Sequence, residues 1–157
     1  MNTILDNEHP QLVVLNGDLI TGENTFLHNS TDYVDEIVAP LVQRQLLWAL
    51  TYGNHDNDYN LSTKSILARE HRYPYSLTNS MIQDKLAGVS NYYLPIYTYS
   101  EYDIYDELPE AILWFFDSRG GNYYQELNSD GSEIPQGNWV DESVSKVSPS
   151  LTSLHTL

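Results

Sequence analysis

Two short polar motifs, each closing an apolar run, constrain this chain more than any other feature. Leu12-Val13-Val14-Leu15 leads through Asn16 to Gly17-Asp18, and Leu46-Leu47-Trp48-Ala49-Leu50 leads to Gly53-Asn54-His55-Asp56. Short aliphatic stretches that stop at Gly and Asp read as buried parallel strands. Such strands deliver their polar tails to the carboxyl edge of a sheet, where α/β proteins place their ligands. An Asp from one strand and an Asn-His pair from another are the donors a hard-metal site needs.

The segments around these motifs support the strand reading. Ser30 to Asp32 suits a helix N-cap, and Tyr33, Val34, Ile37, Val38, Leu41 and Val42 then recur at helical spacing. Pro40 interrupts that face, which predicts a kink or an early end. Strand, helix and strand make a βαβ unit with parallel strands and a right-handed crossover. A second helix is expected from Ser62 to His71, stopping before Tyr73-Pro74. Farther on, Asn91–Tyr99 reads as a strand in which Pro95 argues for an edge or a bulge. Ile112-Leu113-Trp114-Phe115-Phe116 reads as a buried strand with the polar tail Asp117-Ser118-Arg119-Gly120-Gly121. Residues 128–138 are Gly, Ser, Asp and Pro, hence loop. The expected organisation is one domain over 1–147 and an irregular, fraying tail over 148–157.

Composition narrows the function classes. With 157 residues and 41% hydrophobic content, a single domain with a real core is the expectation. No apolar run exceeds six residues, far short of the roughly 20 a membrane helix needs. Twenty-two acidic residues against seven basic give a net charge of −15, which repels phosphate backbones and argues against nucleic acid as a partner. The same field favours cations, although a solvated acidic surface accounts for it as well. The absence of cysteine excludes disulfides, thiolate zinc sites and cysteine nucleophiles. Met1 to Pro10 is polar and acidic rather than a signal peptide, and two sequons, Asn29-Ser30-Thr31 and Asn60-Leu61-Ser62, matter only on a secretory route. The compartment stays open, with a slight lean to the cytoplasm.

At the strand ends, Asp18 and Asn54 offer oxygen donors suited to Mg, Mn or Fe. A carboxylate can bridge two cations, so Asp18 is the natural bridge and Asn54 a terminal ligand. The His55 imidazole follows directly and can reach a bound phosphate, to stabilise charge or protonate a leaving oxygen. Gly17, Gly53 and Asp56 read as supporting turn residues. Asp117 reads first as a turn former with Ser118, and otherwise as support for the site from behind. Asp56-Asn57-Asp58-Tyr59-Asn60 imitates a calcium loop but has Leu61 and Leu67 where Gly and Glu are required. His28 and His71 read as solvated. The tyrosines at 92, 93, 97, 99, 102 and 105 read as packing on a strand face with wet hydroxyls.

Asn16-Gly17-Asp18 and Gly53-Asn54-His55-Asp56 resemble the second and third motifs of the calcineurin-like metallophosphoesterases. The run Pro10–Gly22, with Asn91-Tyr92-Tyr93-Leu94, Trp114–Gly121 and Trp139-Val140, is similar to the fungal purple-acid-phosphatase-like branch. The similarity extends from about Leu5 to about Val147. It implies a four-layer αββα sandwich and a two-metal centre that hydrolyses phosphate esters, of phosphoproteins or small molecules, by in-line attack. At the matching positions it implies that Asp18 bridges the metals, Asn54 binds one and His55 contacts the phosphate.

The departures are equally informative. The family's opening Asp-x-His motif has no counterpart in the residues before Asp18, where Asp6 and His9 are wrongly spaced. His9 also precedes a strand about 16 Å long, which sets it at the opposite sheet edge from Asp18. The family's later histidine and Gly-His-x-His motif are missing, since His155 is the sole histidine after His71. The expectation is therefore an incomplete domain without the first strand and the C-terminal part, inactive by itself. A non-catalytic acidic interaction protein or a truncated product is the alternative. Thr21 stands where true purple acid phosphatases place tyrosine, so a Mn, Mg, Zn or ferrous centre is implied rather than iron–tyrosinate.

Overall fold

The computed structural model describes residues 1–58, 60–84, 86–97 and 108–145. Its first part is the expected βαβ unit. β1 (Leu12–Asn16) and β2 (Leu47–Thr51) pair in parallel, with Leu12 opposite Leu47 and Asn16 opposite Thr51. This register brings the two motif-bearing strand ends level with each other. The crossover runs through α2 (Asp32–Gln43), and α3 (Thr63–Glu70) follows.

Both helices form where the residue pattern requires them. α2 buries Val34, Val38 and Leu41, spaced one turn apart on one face, and carries Asp32 and Asp35 in its first turn, where the helix dipole favours them. It runs through Pro40 without ending there. The missing amide costs one hydrogen bond, which the buried face outweighs. α3 is capped by Ser62, whose Oγ accepts the Ser65 N–H at 3.2 Å. Arg69 of α3 clamps the two helices together through Asp35, with Nε to Oδ1 at 2.8 Å.

The core is split by β2. Trp48 and Leu50 point toward the helices, into a cluster with Leu5, Leu15, Val34, Val38, Leu41, Leu61 and Ile66. Ala49 points the other way, against Tyr92 and Phe115. Those two residues belong to a second sheet, where β3 (Tyr92–Ile96) pairs antiparallel with β4 (Ala111–Phe115). The stacking is helix, sheet, sheet, a mixed α/β arrangement that matches part of the implied sandwich. A hairpin of β5 (Asn122–Leu127) and β6 (Glu133–Pro135) and a single turn, α4 (Glu142–Ser145), complete the described elements.

Several expectations need correction. The stretch 128–138 is not all loop, because it contains β6, which closes on β5 around a turn with Gly131 at φ 85°. Beyond those expectations, a helix, α1 (Asn2–Glu8), forms in the polar N-terminal stretch and buries Leu5 alone. β4 is not buried on both faces, since Trp114 and then Phe116 stand exposed and stack on each other. Tyr92 is buried, and its hydroxyl donates to the Leu50 carbonyl at 2.8 Å rather than to water. His71 is not merely solvated, for its Nε2 bonds the Thr78 carbonyl at 3.0 Å. Tyr99, Tyr102, Tyr105 and the tail 148–157 lie outside the described residues.

Glu70 is the unexpected core residue. Fully buried, it accepts from Trp48 Nε1 at 3.0 Å, Thr78 Oγ1 at 3.2 Å and the Tyr52 hydroxyl at 2.9 Å. Burial drives its carboxyl above the ordinary Glu range, and the three donors offset only part of that shift.

Candidate functional site

The two strand-end motifs meet as the parallel register requires. Gly17, at φ 70°, and Asp18, at φ 49°, turn the chain sharply after β1. The bend lays Gly17 on the Gly53 backbone, where a Cβ on Gly17 would lie 2.9 Å from the Gly53 nitrogen. Gly53 has still less room, since a Cβ there would sit 2.1 Å from Asp18 Oδ1. Both glycines are needed for the two motifs to touch.

Asp56 locks the contact. Its buried carboxylate accepts four backbone N–H groups: Asp18 at 2.8 Å and Gly53 at 2.9 Å on Oδ2, Leu19 and Ile20 both at 3.0 Å on Oδ1. Burial pushes this carboxyl above the ordinary Asp range, and the N–H donors pull against it. Asp18 is held in turn by His55, whose N–H donates to Oδ1 at 3.0 Å.

Asp18, Asn54, Gly17 and Gly53 line one open cleft of about 500 Å³, completed by Thr51, Phe116 and residues 118–121 with Asn138. His55 is not among the lining residues. Its ring is half exposed, with Nδ1 lying 3.7 Å from Asp58 Oδ2. Asp117 is turned away from the cleft and buried. It accepts from the Val89 and Ser90 N–H groups at 2.7 and 3.2 Å and from the Arg119 N–H at 2.8 Å. The Arg119 bond closes a turn over Ser118, as the turn-former reading expects, and the other bonds tie that turn to Val89 and Ser90.

The donor set fits a divalent cation in part. Asp18 is exposed with Oδ2 unengaged, and the Asn54 amide makes no hydrogen bond among the described residues. These are hard oxygen donors at one cleft wall. Yet no three His, Cys, Asp or Glu side chains converge to hold a metal among the described residues.

One cleft residue was not anticipated. Arg119 is the sole cation lining the cleft, set at φ 60° between the Asp117 turn and the glycines that press on Asn54. The signal was present in the polar tail after a strand on the site edge, where a lone Arg precedes Gly-Gly.

Comparison with known proteins identifies the family. The family model for the calcineurin-like phosphoesterases matches residues 1–153. The chain is 32% identical over 143 residues to a Saccharomyces cerevisiae protein called Phosphatase DCR2, covering 89% of this chain and 23% of that one. It is 23% identical over 90 residues to the Arabidopsis thaliana Probable inactive purple acid phosphatase 28, covering 56% of this chain and 22% of the relative. A Schizosaccharomyces pombe protein, uncharacterized, is 29% identical over 94 residues, or 60% of this chain and 18% of its own length. The chain thus spans about a fifth of the length of these curated relatives. No solved structure matches it significantly. Two strand-end motifs locked against each other at one cleft, within a family match that runs almost end to end, make this chain a member of the calcineurin-like phosphoesterase family.

Proposed function

We propose that this chain carries part of a metal-dependent phosphoester hydrolase site. In this reading Asp18 is the bridging ligand, Asn54 a terminal ligand and His55 the group that meets the phosphate. Divalent cations such as Mn, Mg, Zn or Fe would supply charge neutralisation at the phosphoryl oxygens. The observation that carries the reading is the shared cleft, which is lined by both Asp18, with Oδ2 unengaged, and Asn54, whose amide makes no hydrogen bond among the described residues.

The residues of this chain do three things toward that chemistry. Asp56 fixes the backbone beneath Asp18, so the ligand is presented without a search through rotamers of the loop. The His55 N–H holds one carboxylate oxygen and leaves the other to a cation. The half-exposed His55 ring is free to swing from Asp58 toward a substrate oxygen and give or take a proton there.

With these two ligands alone among the described residues in place of a full set, negligible turnover is expected of the chain by itself. Loss even of residues that only orient ligands costs about 10–100-fold in metal affinity or activity. The test is hydrolysis of a chromogenic phosphate ester by the purified chain with Mn²⁺. Background rates are expected. Robust turnover that Asp18→Asn abolishes would overturn the claim of inactivity while supporting the ligand role. Turnover that survives Asp18→Asn would overturn both.

A further inference from the structure

Arg119 is one of seven basic side chains in a chain with 22 acidic residues, and it alone of them lines the cleft among the described residues. Arg44 pairs with Asp6, and Arg69 with Asp32 and Asp35, but no ion pair involves Arg119 among the described residues. Instead its guanidinium rests 5.6 Å from the centre of the Trp139 ring, and Nη2 donates to the Trp139 carbonyl at 3.1 Å. Nε is buried and has no acceptor among the described residues. A charged group held by a ring and one carbonyl keeps its remaining N–H groups for something else.

The backbone holds this arginine at the cleft from both sides. Its own N–H is tied to the buried Asp117 carboxylate at 2.8 Å. Next along the chain, a Cβ on Gly120 would meet Asn54 Cβ at 2.8 Å, and one on Gly121 would meet the Asn54 carbonyl at 2.5 Å. Arg119 is therefore held beside the Asn54 motif, in a cleft that Asp18 also lines, as the cation of a site whose other charged lining group is a carboxylate.

From this placement we infer that Arg119 is the phosphate anchor of the cleft, binding the anionic oxygens of a phosphoester through the Nη N–H groups that the Trp139 carbonyl leaves free. The inference rests on the phosphoesterase reading of the same cleft. A guanidinium suits the task better than an ammonium because its planar donors match two oxygens of one phosphate. Trp139 acts as the positioning residue, since it fixes the plane of the guanidinium without neutralising it.

The probe is inorganic phosphate added to the whole chain at low ionic strength, read by the Arg119 Nε–Hε resonance and the backbone amides of residues 118–121. A saturable shift at these positions is expected. Arg119→Gln should weaken binding about tenfold or more, with Arg119→Lys between the two, because charge returns without the planar donors. Unmoved resonances, or unchanged affinity in Arg119→Gln, would overturn the inference. If that variant loses the native spectrum, the response of the wild-type Arg119 resonance decides alone. Mn²⁺ broadening of the amides at 17–18 and 53–55 reports separately on the metal ligands. Broadening there with a silent Arg119 overturns this inference and leaves the ligand reading standing. A phosphate response at Arg119 without Mn²⁺ broadening does the reverse.

Discussion

The Asp56 carboxylate accepts the backbone N–H of Asp18 at 2.8 Å, across 38 residues of sequence. That bond, with its three companions, makes one rigid object of two motifs that share no chain segment. Asp56 lies outside the cleft lining, yet the cleft wall depends on it.

Replacing Asp56 with Asn tests this dependence. An amide presents one accepting oxygen where the carboxylate presents two, and its NH₂ would face backbone N–H donors. The expected loss is about 3 kcal/mol of unfolding free energy, since each bond to a charged acceptor contributes about 1.5–3 kcal/mol. Denaturant midpoints measure it, and the amide resonances of residues 18–20 should move with it.

Gly53→Ala adds a Cβ where Asp18 Oδ1 already stands. The carboxylate must leave or the two turns must separate. We expect a loss of about 2 kcal/mol and weakened Mn²⁺ binding. Ala at Gly131, where nothing lies within 4 Å, adds no clash and reports the strain of its positive φ alone.

Glu70 predicts a pH dependence of definite sign. Its folded-state carboxyl holds the proton more tightly than in the unfolded chain, because burial disfavours the charge by more than its three hydrogen-bond donors and nearby His71 favour it. The stabilising contribution is complete at acidic pH and is lost as pH rises from the ordinary Glu value through the raised one. Glu70→Gln keeps the acceptor for Trp48 and Thr78 and cannot ionise. Its stability should be flatter with pH over that window, as chemical denaturation at stepped pH will show. Asp56 contributes a slope of the same sign, which the variant retains.

The outer edge of β1 predicts self-association. Among the described residues β1 pairs with β2 alone, and Val14 and Leu47, on the face away from the helices, are half exposed. An open strand edge beside apolar surface recruits further strands. Light scattering should detect oligomers despite the high net charge. Val14→Lys should reduce them, with little effect on stability because that side chain is half in solvent already.

By itself the sequence determined the elements with a period. The apolar runs before Gly17 and Gly53 became β1 and β2, the spacing of Val34, Val38 and Leu41 became the buried face of α2, and Ser62 became a cap. Each of these follows from neighbours a few residues apart. β6 was hidden because three residues among turn formers carry no period, and β4 was read as wholly buried because an unbroken apolar run does not say which face is covered. Only the tertiary structure decided what the isolated polar residues do. Asp56, Glu70 and Asp117 each look like a surface acid in the chain. Each is buried, because donors from distant segments converge on it and a carboxylate leaves water only where such donors replace it.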